Sequence, residues 1–218
     1  MVICFLTDFG LQDDFVGTCH GVIARIAPDA RVIDVTHGIP PTQVLQGALV
    51  LSSTLPYMPV GIHLAVVDPG VGGARRPLVI ADRDGRMFVG PDNGLLLPAA
   101  ERGGIVEVRE LANPDYALET ISRTFHGRDL FAPAAAHLAN GVPLTELGPP
   151  LHPDALVRLD LPRPVFDEDR MALFLEVGRE LPFPASATSW LTNRLFDLHP
   201  ATRGARGRLA EYDAAFHG

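Results

Sequence analysis

Lysine is missing from this chain altogether: all 18 of its basic side chains are arginines. That excludes a lysine nucleophile, a lysine Schiff base and the lysine of a Walker-type phosphate loop. Against the 18 arginines stand 26 acidic side chains, a formal net charge of −8. The chain lacks the positive footprint that a phosphate backbone requires, and no nucleic-acid partner is expected. Cysteine is scarce as well. Cys4 and Cys19 are too few for a disulfide scaffold, and each lies in an apolar run that suits a buried free thiol. No apolar stretch reaches the roughly 18 residues that a bilayer span needs, so no membrane association is expected. The opening MVICFLTDFG has no basic segment and meets Asp8 early. It reads as the first strand of a domain and not as a leader, and the expected location is the cytoplasm.

What is present is the patterning of a folded α/β protein, with 47% hydrophobic and 20% charged residues among 218. Val2–Leu6 is a short, wholly apolar run, as expected of a strand buried on both faces of a parallel sheet. In Phe15–Ile26 the apolar residues Val16, Cys19, Val22, Ile23 and Ile26 recur at helical spacing, and Pro28 stops the helix. Arg31–Val35 is a second strand, Gln43–Leu55 a second helix, and Ile62–Val67 the strongest strand. Leu78–Ala81 and Met87–Val89 flank Asp84-Gly85 as a hairpin. A short helix at Leu95–Ala100, a strand at Ile105–Val108 and a helix at Leu130–Asn140, with Pro133 near its start and Gly141 at its end, complete the pattern. Strands alternating with helices predict a three-layer α/β domain with a mostly parallel sheet, spanning residues 1–160. Beyond Pro149 prolines multiply, Met171–Val177 is the one convincing strand, and 165–218 reads as a short, atypical unit.

Ligands of such sheets gather beyond the carboxyl ends of the strands, where Asp8 and Asp68 both stand. Asp68 opens DPGVGGAR, a glycine-rich turn whose spacing fits neither a Walker loop nor a dinucleotide fingerprint. It can cap the turn or serve a ligand. His126 sits in FHGRD between Phe125 and Phe131, as a structural residue or a reacting one, with Arg128 and Asp129 able to tie the segment down. Asp13 and Asp14 can cap the helix at Phe15 or contact a ligand. Asp8 lies too early to cap it and is placed to accept bonds from a vicinal diol. Asn93, in PDNG, is a turn residue or a substrate contact. The eight histidines form no HxxxH or HExxH, and no GxSxG elbow occurs, so neither a metal site nor a serine hydrolase is expected.

TDFG at 7–10, DVTHGIPP at 34–41, VVDPGVGGARR at 66–76, GPDNGLL at 90–96 and FHGRDLFAP at 125–133 together resemble the S-adenosyl-L-methionine hydrolases that release adenosine. These are the SAM hydroxide adenosyltransferases, related to the fluorinating and chlorinating nucleoside enzymes. The resemblance covers roughly residues 1–150, with five motifs in order. It implies hydrolysis of S-adenosyl-L-methionine to adenosine and L-methionine, by attack of water or hydroxide at ribose C5′. It also implies Asp68, Arg75 and His126 as the catalytic set, with Asp8 on the ribose, Asp13 on the methionine amino group and Asn93 as a further substrate contact. The halide-using relatives carry Tyr and Thr where this chain has Asp68 and Val71, which favours the hydrolase branch. No cofactor is implied.

The same resemblance implies a homotrimer, in which a β-barrel-like second domain contributes adenine contacts across the subunit interface. Here only a short, divergent segment stands in that domain's place, without its DxFGNxxTN signature. Thr192-Asn193 is not equated with it, and Met171–Val177 is at most a remnant. The alternative reading is therefore a catalytically weak or inactive adenosine- or S-adenosyl-L-methionine-binding protein of the same family.

Overall fold

The computed structural model describes residues 1–160, 164–167 and 172–175. The chain divides into two compact units, Met1–Leu159 and Asp160–Gly218. In the first, a six-stranded sheet has the order β2-β1-β3-β5-β4-β6. Its strands are β1 (Val2–Thr7), β2 (Arg31–Thr36), β3 (Ile62–Val66), β4 (Pro77–Asp82), β5 (Met87–Pro91) and β6 (Ile105–Glu110). The pairs β1–β2, β1–β3 and β3–β5 are parallel, while β4 is antiparallel to both β5 and β6. The sheet is therefore mixed: β4 alone runs against the other strands, because the tight Asp84-Gly85 turn returns it directly onto β5. Gly85 supplies the positive φ (84°) which that turn needs.

Alternation of side chains along the strands builds two cores. Ile3, Phe5, Leu64 and Val66 face helices α1 (Phe15–Ile26) and α4 (Ala132–Ala139), and Leu6, Ala65 and Val67 face α2 (Val44–Thr54) and α3 (Leu97–Gly103). The result is three layers, helices on both faces of the sheet. α1 holds the predicted bounds and buries Val16, Cys19, Val22 and Ile23. Each such fully buried aliphatic side chain contributes roughly 1.5–3 kcal/mol.

Prolines move two helix starts away from the bounds expected from sequence. α3 begins at Leu97, with Pro98 in its first turn, and Gly104 (φ 77°) follows its end. α4 begins at Ala132, preceded by a π-helical turn at Gly127–Phe131. Pro133 has no N–H to offer the Asp129 carbonyl, and that carbonyl instead accepts from Leu118 N at 2.8 Å. In the second unit, β7 (Pro164–Asp167) pairs antiparallel with β8 (Ala172–Leu175), inside the expected strand Met171–Val177. Thr192-Asn193 and the rest of 176–218 lie outside the described residues.

Candidate active site

Thr7 and Val66, the last residues of β1 and β3, are register partners in a parallel pair. The loops that follow them therefore leave the same edge of the sheet side by side, bringing Asp8 and Asp68 to one place. Asp8 accepts a hydrogen bond from the backbone N–H of Thr42 at 2.9 Å. Thr42 has φ 68°, an uncommon conformation for a β-branched residue, so the loop after β2 stores strain to present that donor. Burial pushes the Asp8 carboxyl above its ordinary range, Thr42 N–H offsets part of this, and the nearby Asp68 charge adds to the rise.

After β3 the chain turns sharply. Val71 N donates to Asp68 O at 3.3 Å and Gly73 N to Gly70 O at 3.0 Å. This fold-back returns Arg75 to Asp68, where Nε meets Oδ1 at 3.1 Å and Oδ2 at 2.9 Å, and a second nitrogen also reaches Oδ2. Both side chains are largely withdrawn from solvent, 9% exposed for Arg75 and 4% for Asp68. The guanidinium also lies over the Phe131 ring, 5.1 Å from its centroid. Gly72 sits at φ 71°, where an added Cβ would stand 2.2 Å from the Arg123 carbonyl oxygen. Only glycine lets this turn meet the segment that leads to His126.

His126 Nδ1 lies 2.8 Å from Arg75 Nη2. A guanidinium only donates, so Nδ1 accepts, and the neutral ring carries its proton on Nε2. Burial and the Arg75 charge lower the His126 pKa, partly opposed by Asp68 and Asp129. The residue is held by its own motif. Asp129, wholly buried, accepts from Arg128 Nε at 2.5 Å and Ser122 N at 2.8 Å, and Gly127 makes room for Phe9, whose ring an added Cβ would approach to 2.7 Å.

Asp8, Asp68 and His126 line one cavity of about 360 Å³, together with Asp14, Thr18, Cys19, Arg128 and an apolar wall of Phe9, Phe15, Val66, Val71 and Phe125. Phe15 packs on Phe125 at 5.0 Å and on Phe9 at 6.2 Å between centroids. Arg75 is not a lining residue; it joins Asp68 to His126 as a bridge. Burial pushes the Cys19 thiol up to about 12, which keeps it an uncharged part of the wall.

Asp13 and Asn93 are not in the lining. Asp13 is exposed and accepts from Phe15 N at 3.4 Å, while the neighbouring Asp14 is the one that reaches the cavity. Asn93 is engaged locally, donating to Val67 O at 2.8 Å and accepting from Leu95 N at 3.1 Å, which braces the end of β3 behind Asp68. Sequence reading missed the aromatic wall and the Thr42 donor. Phe15, an aromatic at the entry of a helix beside two carboxylates, was the available signal for the first.

Chemically, the cavity offers a carboxylate with spare lone pairs, an imidazole N–H, and apolar walls. That set can orient a water molecule from both sides, with Asp68 accepting and His126 donating, beside apolar walls.

Residues 3–148 match the family described as "SAM hydroxide adenosyltransferase N-terminal domain". The chain is 58% identical over 161 residues to the (R)-S-adenosyl-L-methionine hydrolase of Salinispora arenicola, an alignment covering 73% of this chain and 61% of that protein. Against the protein of the same name from Salinispora tropica it is 56% identical over 161 residues, covering 73% and 61%. A crystal structure of an uncharacterized conserved protein from Thermotoga maritima superposes with a TM-score of 0.72 at 42% identity, covering 75% of this chain and 63% of that one. The chain thus spans about three-fifths of the length of these relatives.

Proposed function

The chain belongs to the SAM hydroxide adenosyltransferase family, and on that premise we propose that it hydrolyses S-adenosyl-L-methionine to adenosine and L-methionine. The observation that carries this reading is the Asp68–Arg75–His126 chain of contacts at the cavity. The reaction is in-line displacement at ribose C5′. Methionine sulfur leaves as a neutral thioether and needs no general acid. The protein's task is to hold one nucleophilic oxygen on the C5′–S axis. Because His126 Nδ1 is occupied by Arg75, the imidazole serves as a donor through Nε2–H, and Asp68 is the group that accepts the water's proton. Arg75 positions both and favours negative charge on the attacking oxygen.

Asp8, with one oxygen on Thr42 N–H, has acceptor capacity left for a ribose diol. Phe9, Phe15 and Phe125 offer faces to the base and to the sulfonium cation. For the methionine amino group, the lining position of Asp14 makes it the better-placed neighbour of Asp13. The names of the relatives point to the (R) sulfonium epimer as substrate. A homotrimer in the cytoplasm, with neither nucleic acid nor membrane as partner, completes the reading. Cys4 and Cys19 are unpaired, and among the described residues no helix is long and apolar enough to cross a membrane.

The test is incubation of the folded full chain with an epimeric mixture of S-adenosyl-L-methionine and chromatography of the products. Equal amounts of adenosine and methionine, drawn from the (R) fraction, are expected. Asp68→Ala, Arg75→Ala and His126→Ala should each lower kcat/KM by about 10²–10⁴. Adenosine binding without turnover would replace hydrolysis by a binding role.

A further inference from the structure

A second group of chemistry-bearing side chains lies apart from the Asp68 cavity. His20 on α1 places Nε2 2.8 Å from Asp34 Oδ1 on β2, and His37, just past β2, places its Nε2 3.0 Å from the same oxygen. One nitrogen from each imidazole and one carboxylate oxygen all lie within 4.8 Å of one another. Nothing in the spacing 20, 34, 37 announces this. The β1–α1–β2 crossover between parallel strands brings His20 on the helix to Asp34 on the strand and creates the group.

His37 is the informative member. Its side chain is 3% exposed, and its Nδ1 is fixed 2.8 Å from the Thr7 hydroxyl. Its buried Nε2, despite standing 3.0 Å from Asp34, makes no hydrogen bond of acceptable geometry among the described residues. If Nδ1–H donates to Thr7, an Nε2 lone pair confronts a carboxylate. If the hydroxyl donates to Nδ1, an Nε2–H points at the carboxylate but is badly aligned. A cation between the three atoms resolves the conflict in the first form, taking the Nε2 lone pair while Nδ1–H donates to Thr7. Edge contact with the Phe5 ring, 4.8 Å between centroids, fixes the plane of the His37 imidazole.

We propose that His20 Nε2, Asp34 Oδ1 and His37 Nε2 bind a divalent transition-metal ion of the zinc class. Two imidazoles and one carboxylate select zinc and its first-row neighbours over magnesium or calcium, which take oxygen ligands. Tetrahedral bonds of about 2.0–2.1 Å separate neighbouring ligand atoms by roughly 3.3 Å, so the two histidine–aspartate separations open by a few tenths of an ångström on binding. Asp34 is 45% exposed and His20 35% exposed, which leaves both free to make that adjustment and leaves a fourth position to water. Thr7, holding the far nitrogen of His37, orients that ligand as partners of metal-bound histidines do. The His37 carbonyl accepts from Gly10 N at 2.8 Å, so the ion would also stiffen the loop that carries Asp8. The site is structural and independent of the hydrolysis proposed above.

The full chain, stripped with a chelator, is titrated with Zn²⁺ by calorimetry and with Co²⁺ by visible absorption. One equivalent should bind and raise Tm. His20→Gln and Asp34→Asn, both at partly exposed positions, should weaken binding at least about 100-fold, beyond the cost of losing a residue that only orients a ligand. His152→Gln, at the exposed His152–Asp154 pair, should leave it unchanged. Failure to bind, or equal affinity in wild type and in His20→Gln, overturns the proposal. A Zn²⁺-soaked crystal read by anomalous scattering gives a test that needs no variant: density among the three residues supports the site, and density only elsewhere refutes it.

Discussion

A proton cannot reach His126 Nδ1 without displacing the Arg75 guanidinium that occupies it, and the two would then stand as neighbouring cations. The neutral ring therefore persists below the ordinary histidine pKa of about 6.5. The acid limb of kcat/KM should fall with an apparent pKa under that value. Arg75→Leu should move the limb upward as well as lowering the rate, because the opposing charge is gone. An unshifted limb in that variant would remove His126 from the account. His63 makes a separate prediction. It lies wholly buried in β3, stacked on Phe88, with neither ring nitrogen hydrogen-bonded among the described residues, and burial together with Arg86 depresses its pKa to about 4. With the folded pKa below the unfolded value, its contribution is complete above about pH 6.5. It is lost as pH falls toward about 4, on the order of 3 kcal/mol. Urea midpoints measured across that range should fall in the wild type and much less in His63→Leu, which should be no less stable at neutral pH, since it leaves no unpaired nitrogen. Parallel pH profiles for the two proteins would contradict this. Sequence showed none of it for His63, since only the fold reveals that no partner among the described residues reaches the ring.

At the scale of elements, the meeting of the β3 turn with the His126 segment depends on Gly72. Gly72→Ala adds a Cβ against the Arg123 carbonyl at a positive φ. It should cost about 2 kcal/mol or more, and it should lower kcat with the Asp68 and His126 side chains intact. Thermal unfolding and steady-state kinetics check this together, and an Ala variant with wild-type values would show that the approach is not needed. The elements themselves were largely legible. Apolar periodicity placed α1 at its observed bounds, and the buried run of β3 led directly to Asp68. What periodicity could not show was irregularity. The hairpin expected at Asp84-Gly85 sets β4 against the other strands, whereas Pro133 diverted a backbone hydrogen bond and produced a π turn after His126. Asp13 and Asp14 both precede α1, and it is Asp14, at the N-cap position, that reaches the cavity.

At the scale of the molecule, residues far apart in sequence — 8, 68, 75 and 126 — converge because parallel strands deliver their loops to one sheet edge. Sequence motifs marked these residues, but not the contacts among them. Light scattering should give three times the 23.4 kDa chain mass if the proposed trimer forms; a single-chain mass would contradict that part. The central claim, that Asp68, Arg75 and His126 aim one water oxygen at ribose C5′, is tested most directly by running the reaction in ¹⁸O-labelled water and analysing the nucleoside by mass spectrometry. One labelled oxygen in the 5′-hydroxyl of adenosine, with unlabelled methionine beside it, is the predicted result. Release of methylthioadenosine or free adenine instead, or no labelled adenosine from a folded sample, would contradict it.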